Sequence, residues 1–344
     1  MMLECMMAKT DETLRALGAP ITTMRRSQLD YLPIALFGSV MGMAGLAAAW
    51  QLAGQLYGFP RWPAQVIGLL ALLIFAVLSV AYLIKAISGP AAVLAEFRHP
   101  IAGNLFATPL ISLLLLPLIV VDYSLIWARI LWVIGAGGML WFAWYRLTRW
   151  IAQRQQTAHA TPAWMVPVVG LIDLPLAMPA LHLEGYTQLM LFALAVGLFF
   201  AVPLFTLILA RLMFEAPLAP PLQPSLLILL APFSVGVSAY ATTFGQWDHV
   251  ADALYMLMLF MLSVLMLRLR TLARTCPFRL SWWAVGFPLA SSVGSALRYA
   301  THHPHPVSHA IALVLLAGVS LLLLWLLFAT LHASLRGQLR ALAG

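Results

Sequence analysis

The chain has little charge. Lys, Arg, Asp and Glu together make up 9% of its 344 residues, where a soluble domain carries about 25%. That scarcity excludes an ordinary soluble globule, whose surface needs more charge. With 63% hydrophobic residues, the chain reads as a polytopic membrane protein. Cysteine is scarcer still. Cys5 and Cys276 build no disulfide framework and are expected as free thiols. No cleavable leader is expected, because the N-terminal stretch is polar with mixed charge and the first apolar run is a full span. Catalytic patterns are missing too. There is no Gly-x-Ser-x-Gly and no His-Glu-x-x-His, and Gly135, Gly137 and Gly138 lie inside an apolar run with no strand before them. An enzyme is not expected, nor a cofactor.

What the chain has is apolar runs at a regular pace. Spans are expected at roughly 32–53, 63–87, 101–121, 125–148, 163–182, 187–213, 224–244, 250–269, 280–301 and 307–332. Each has about 20 residues or more, enough for about 30 Å of hydrocarbon. Residues 1–31 form a polar tail with a short surface helix around Asp11–Leu17, 32–332 the transmembrane domain, and 333–344 a short C-terminal tail.

Ten spans put both termini on one side, and the cations say which. Lys9, Arg15, Arg25, Arg26, Lys85, Arg98, Arg146, Arg149, Arg154, Arg211, Arg268, Arg270, Arg274, Arg279, Arg336 and Arg340 fall on one face; only Arg61, Arg129 and Arg298 fall on the other. Positive loops stay in the cytoplasm, so both termini are expected there, in a plasma membrane (the inner membrane in a bacterium). The net charge of +8 is then an anchor on anionic lipid rather than a nucleic-acid surface.

Proline separates the spans into two kinds. Pro33, Pro109, Pro117, Pro167, Pro175, Pro179, Pro232 and Pro288 sit in odd spans; among even spans only the sixth has one in its interior, Pro203, since Pro63 merely opens the second. Small and hydroxyl residues follow the same split: Gly38, Gly42 and Gly45 in the first span, Ser234, Gly236, Ser238 and Thr242 in the seventh, Gly286, Ser291, Ser292, Gly294 and Ser295 in the ninth. Proline frees a backbone carbonyl in a membrane helix, which is tolerable only where protein or water re-satisfies it. The odd helices are therefore expected inside and the even helices against lipid. The fold class is all-α: ten transmembrane helices as five hairpins around a central pore lined by the odd-numbered helices.

Several residues carry two readings. Glu96-Phe97-Arg98-His99-Pro100 is an ordinary turn with Pro100 starting a helix, or a charged vestibule whose Arg98 and His99 attract anions. Asp173 is the one acid placed deep in a span, beside Pro167, Gly170 and Pro175. It is hydrogen-bonded to freed backbone or protonated, or else it has a coupling or pathway role. Arg298, about 25 Å along its helix from Ser281, snorkels or marks the exit of an anion pathway. His302, His303, His305 and His309 crowd one loop, but no cysteine or acid lies near them in the sequence, and no metal site is expected. Phe287, before Pro288, is a packed ring or the plug of a narrow pore.

Together the motifs resemble a known family. Leu32-Pro33-Ile34-Ala35-Leu36-Phe37-Gly38 with Gly42 and Trp50 is similar to the first span of the tellurite-resistance/dicarboxylate transporter family, which includes bacterial TehA, the plant slow anion channel and the fungal malate carrier. Glu96–Pro100 with Asn104-Leu105-Phe106 resembles its loop into span three, and Trp164 with Pro167-Val168-Val169-Gly170 its fifth span. Leu222-Gln223-Pro224-Ser225, Ala231-Pro232-Phe233-Ser234-Val235-Gly236 and Tyr240 resemble the seventh, and Ser281-Trp282-Trp283 with Phe287-Pro288-Leu289 the ninth. The resemblance implies a pore in each protomer of a homotrimer, with Phe287 as its gate. It implies small inorganic or organic anions as cargo: chloride- or nitrate-like ions through a channel, or C4-dicarboxylates or toxic oxyanions (tellurite, sulfite) on a proton-coupled carrier or exporter. Asp173 departs from the family pattern, which has an apolar residue there. The short tails are expected to lack the regulatory tails of the plant channels.

Overall fold

A computed structural model of the chain describes residues 29–342, apart from the side chains of residues 271–275. The tail helix expected around Asp11–Leu17, the tail cations and Cys5 lie outside the described residues. Every element among the described residues is helical. The long ones, in order, are α1 (Ile34–Tyr57), α2 (Trp62–Ser88), α3 (Ala102–Val120), α4 (Leu125–Ala152), α5 (Pro162–Ala177), α6 (Glu184–Phe214), α7 (Pro220–Phe244), α8 (His249–Thr275), α9 (a 3₁₀ stretch Leu280–Val285 leading into Gly286–His302) and α10 (Pro306–Leu335). A short helix, Pro90–Arg98, connects α2 to α3.

Eight of these helices, all but α5 and α9, are long and apolar enough to cross a membrane. The expectation of ten equivalent spans needs correction at the other two. The fifth ends at Ala177 rather than 182, and the chain turns there with His182 at φ 53°. It compensates in pitch. Pro162–Trp164 and Gly170–Ala177 are 3₁₀ helix, which rises about 2.0 Å per residue against 1.5 Å for α-helix, so α5 still reaches about 30 Å. In α9 the hydroxyls and glycines of Gly286–His302 lower apolarity, and that helix packs against protein rather than relying on an oily surface.

The burial split follows proline. The most apolar windows of α1, α3 and α7 are 72%, 61% and 72% buried, those of α2, α4, α6, α8 and α10 only 17%, 33%, 33%, 28% and 28%. Most of the odd-helix prolines sit near a seam where one helical segment meets the next. Pro109, Pro167, Pro232 and Pro288 fall in the first turn of an α segment, Pro117 opens one, and Pro175 lies within 3₁₀ helix. The irregular carbonyls of the α5 region are satisfied from α4: Trp132 Nε1 donates to the Leu174 carbonyl at 3.1 Å and Arg129 to that of Leu181 at 2.9 Å.

Each odd helix packs against the even helix that follows it. The odd helices also meet one another: α1 touches α3, α3 touches α5, α5 touches α7, α7 touches α9, and α9 returns to α1. The α9–α1 contact is backbone on backbone. A Cβ on Gly42 would lie 3.2 Å from Gly286 Cα, and one on Gly286 would lie 3.4 Å from Gly42 Cα, the approach that small residues allow in membranes.

One ionic brace fixes the start of α1. Lys85 Nζ donates to Glu96 Oε2 and to the Leu32 carbonyl, both at 2.7 Å, and Glu96 Oε1 accepts from the Ile34 N–H at 2.7 Å. Tyr82 donates its hydroxyl to Glu96 Oε2 at 3.0 Å. A carboxylate on the first N–H groups of a helix satisfies a donor with no helical partner and complements the dipole.

Candidate functional site

Two cavities of about 130 Å³ each lie inside the helix assembly. Among the described residues, both are lined only by α1, α3, α5, α7 and α9 and the short stretches that lead into them. The inner one is built from the N-terminal halves of four of those helices and the middle of α5: Gly38 and Met41 of α1, Leu105 and Thr108 of α3, Val169 and Asp173 of α5, Leu222 and Ile228 of α7, Ser281 and Ala284 of α9. The outer one takes their C-terminal halves, including Gln51 and Gln55 of α1, Leu118 of α3, Leu176 of α5, Ser238 of α7 and Arg298 of α9. Two residues border both spaces, Phe287 and Val235. Phe287 is 7% exposed, and its ring lies against the backbone of α1 at Gly45.

The walls are mostly apolar, and three of the polar atoms on residues that line them stand without partners. Asp173 is 2% exposed, and its Oδ1 has no hydrogen-bond partner. The Ser281 Oγ beside the same cavity also lacks one, as does the Arg298 Nε at the outer cavity. Buried polar atoms without protein partners look to water or a passing solute for them. No Lys or Arg lines the inner cavity and no acid the outer one, among the described residues.

Of the residues singled out as pore-lining, Gly38, Gly170, Pro288 and Ser291 do border a cavity, with Asp173, Arg298 and Phe287. Pro109, Pro117, Pro167, Pro175 and Pro232 shape the helices without bordering either cavity. Gly42 and Gly286 pack α1 on α9, and Gly236 faces Leu198 of α6. The hydroxyl face of α9 also needs correction. Ser234 and Ser295 are fully buried. Ser234 pairs with Ser291 at 2.7 Å and Ser238 with Ser295 at 3.2 Å, so these hydroxyls join α7 to α9.

The Glu96–Pro100 segment divides. Glu96 is held in the brace of α1 and is not a free vestibule charge. His99 Nδ1 accepts from the N–H groups of Ile101 and Ala102 at the entry to α3. Arg98 faces a separate basic pocket. The histidines do meet acid, contrary to the sequence expectation: His303 Nε2 lies 2.8 Å from Asp252, brought over from α8. His309 bonds Tyr57 at 2.9 Å, and His305 caps α10. Nearby, the Tyr240 hydroxyl donates to Asp248 at 2.7 Å and holds that carboxyl below its usual range. Sequence reasoning missed Lys85, Val235, Gln51 and Gln55. Lys85 carried a signal: a lysine near a span's end with an acid eleven positions on.

A family model described as "Voltage-dependent anion channel" matches residues 31–331, from just before α1 to near the end of α10. The chain belongs to the SLAC1 family. Its described cavities and both groups that border them lie within the matched region. An S-type anion channel of Arabidopsis thaliana, SLAH3, is 28% identical over 314 residues, covering 88% of this chain and 48% of its own length. SLAH2 of the same plant is 28% identical over 276 residues, 78% of this chain and 52% of its own. This chain therefore spans about half the length of those SLAC1-family relatives. A tellurite resistance protein TehA homolog of Haemophilus influenzae is 27% identical over 284 residues, with 81% of this chain and 84% of that protein covered. With eight helices apolar and long enough to span, this SLAC1-family chain is a multi-pass membrane protein.

Proposed function

We propose that the chain is an anion channel or transporter in the plasma membrane, conducting through a pore within each protomer. In this reading α1, α3, α5, α7 and α9 line the pore as the inner halves of five hairpins, both termini lie on the arginine-rich cytoplasmic side, and three copies assemble. The ions are chloride- or nitrate-like, or C4-dicarboxylates. The observation that carries the reading is the shared wall: two cavities lined, among the described residues, by the odd helices and the stretches leading into them, with Phe287 and Val235 bordering both. Phe287 is the gate. With few cations along the way, selectivity comes from positive potential at the mouths and from hydroxyl and backbone dipoles inside, which bind weakly enough to let ions leave. The test is flux of chloride, nitrate, malate and sulfite into liposomes of purified protein at two pH values. Anion flux that rises in Phe287→Ala supports the reading, and no flux for any of the four overturns it.

A second reading has its own observation. Asp173, buried with an unpartnered oxygen at the inner cavity, suits a proton-coupled dicarboxylate carrier or an oxyanion exporter. Asp173→Asn separates the two.

A further inference from the structure

Outside both cavities, the end of α4 and the loops beside it form a third, basic pocket of about 230 Å³. Arg98, Arg146, Arg149 and Arg154 line it with His159, Trp150 and three glutamine amides, Gln153, Gln155 and Gln156. Among the described residues, none of the four arginines makes an ion pair and no carboxylate lines the space. Four guanidinium groups held together without a counter-charge repel one another and attract an anion.

The geometry shows a built site rather than a chance cluster of surface charge. Arg146 is 5% exposed. Its Nη2 donates to the Phe97 carbonyl at 3.2 Å, and its guanidinium sits 5.2 Å from the ring centres of both Phe97 and Phe142. Its Nε has no partner. Gly103 makes room, since a Cβ there would run into the Arg146 Nη2. Arg149 is steadied by the Tyr145 hydroxyl and the Gln153 Oε1, each at 3.1 Å. Planar guanidinium forks fixed in advance and short of acceptors suit the tetrahedral oxygens of a phosphate.

We propose that this pocket binds a phosphate-bearing ligand. Trp144 and Ile151, on the opposite face of this last stretch of α4, are exposed, and apolar side chains exposed there would set the arginines at the depth where lipid headgroups lie. A lipid phosphate or a soluble one would be recognised by the same contacts. Pro100 lines the pocket, and its neighbour Ile101 lines the inner cavity, so an occupant would sit one residue along the chain from that cavity's wall. The proposal stands apart from the gating reading and does not depend on Phe287.

The test titrates the purified full chain in neutral detergent with short-chain phosphatidylglycerol and, separately, with pyrophosphate. Wild type is compared with Arg149→Gln/Arg154→Gln, whose side chains are partly or fully exposed, and with Arg336→Gln/Arg340→Gln, which removes equal charge elsewhere. Melting curves check that all three fold. Weakening of about tenfold or more in the pocket variant alone supports the site. Weakening for the lipid only assigns a headgroup, and for pyrophosphate only a soluble phosphate. Equal weakening in both variants, or in neither, overturns the proposal.

Discussion

Gly45 of α1 leaves open the space beside which the ring of Phe287 of α9 rests. A Cβ on Gly45 would come within 3.3 Å of Phe287 Cδ2 and 3.1 Å of the Ala290 Cβ. The ring that borders both cavities is thus seated directly on the backbone of the neighbouring helix.

Removing that ring tests the gate. Phe287→Ala is expected to raise anion flux in liposomes by about tenfold or more, equivalent to lowering a barrier by roughly 1.4 kcal/mol. Wild-type flux from a normally expressed variant removes Phe287 from that role.

Filling the seat tests the packing. Gly45→Ala is expected to destabilise the protein by about 1–3 kcal/mol, the usual cost of overpacking. In a Phe287→Ala background part of that cost is expected to vanish, because one of the two close contacts is gone. Additive losses in a double-mutant cycle of detergent-unfolding measurements would show that the two residues do not share the space.

Asp173→Asn decides between channel and carrier. For the channel, flux and its pH dependence are expected to change little. If uptake driven by a proton gradient disappears while the protein still folds and passive exchange persists, the carrier reading replaces it.

The brace at the start of α1 predicts a stability effect. Lys85→Met leaves the Glu96 carboxylate without its ion-pair partner and is expected to cost about 3–5 kcal/mol, as for other broken buried pairs. The double variant Lys85→Met/Glu96→Gln is expected to recover part of that loss. The readout is the melting temperature of purified protein, and a single variant that melts with wild type would rule the brace out.

The serines of α9 predict the opposite of a pore-lining role. Ser295→Ala is expected to cost about 0.6 kcal/mol and at most roughly 1.7, with the chloride-to-nitrate flux ratio unchanged. A shifted ratio would return Ser295 to the conduction path.

Much of the architecture was legible in the residues themselves. Scarce charge and repeated apolar runs determine that the chain enters a membrane, because each such run must leave water. Proline in the odd runs, with glycine and serine, marks the helices that bury, because freed carbonyls and small side chains are stable only against protein. What sequence spacing cannot report is which neighbour a side chain meets across the assembly. Ser295 and Ser291 look alike in one dimension, yet Ser295 is sealed between α7 and α9 while Ser291 borders a cavity. Glu96 reads as a surface charge until Lys85 folds back onto it. Pro232 and Pro288 look like interior residues of long runs, yet each follows a 3₁₀ stretch and falls in the first turn of the α segment after it. The seat of Phe287 on Gly45, its place between two cavities and the gathering of four arginines at the end of α4 belong to tertiary structure alone, because each depends on how separate helices pack in three dimensions.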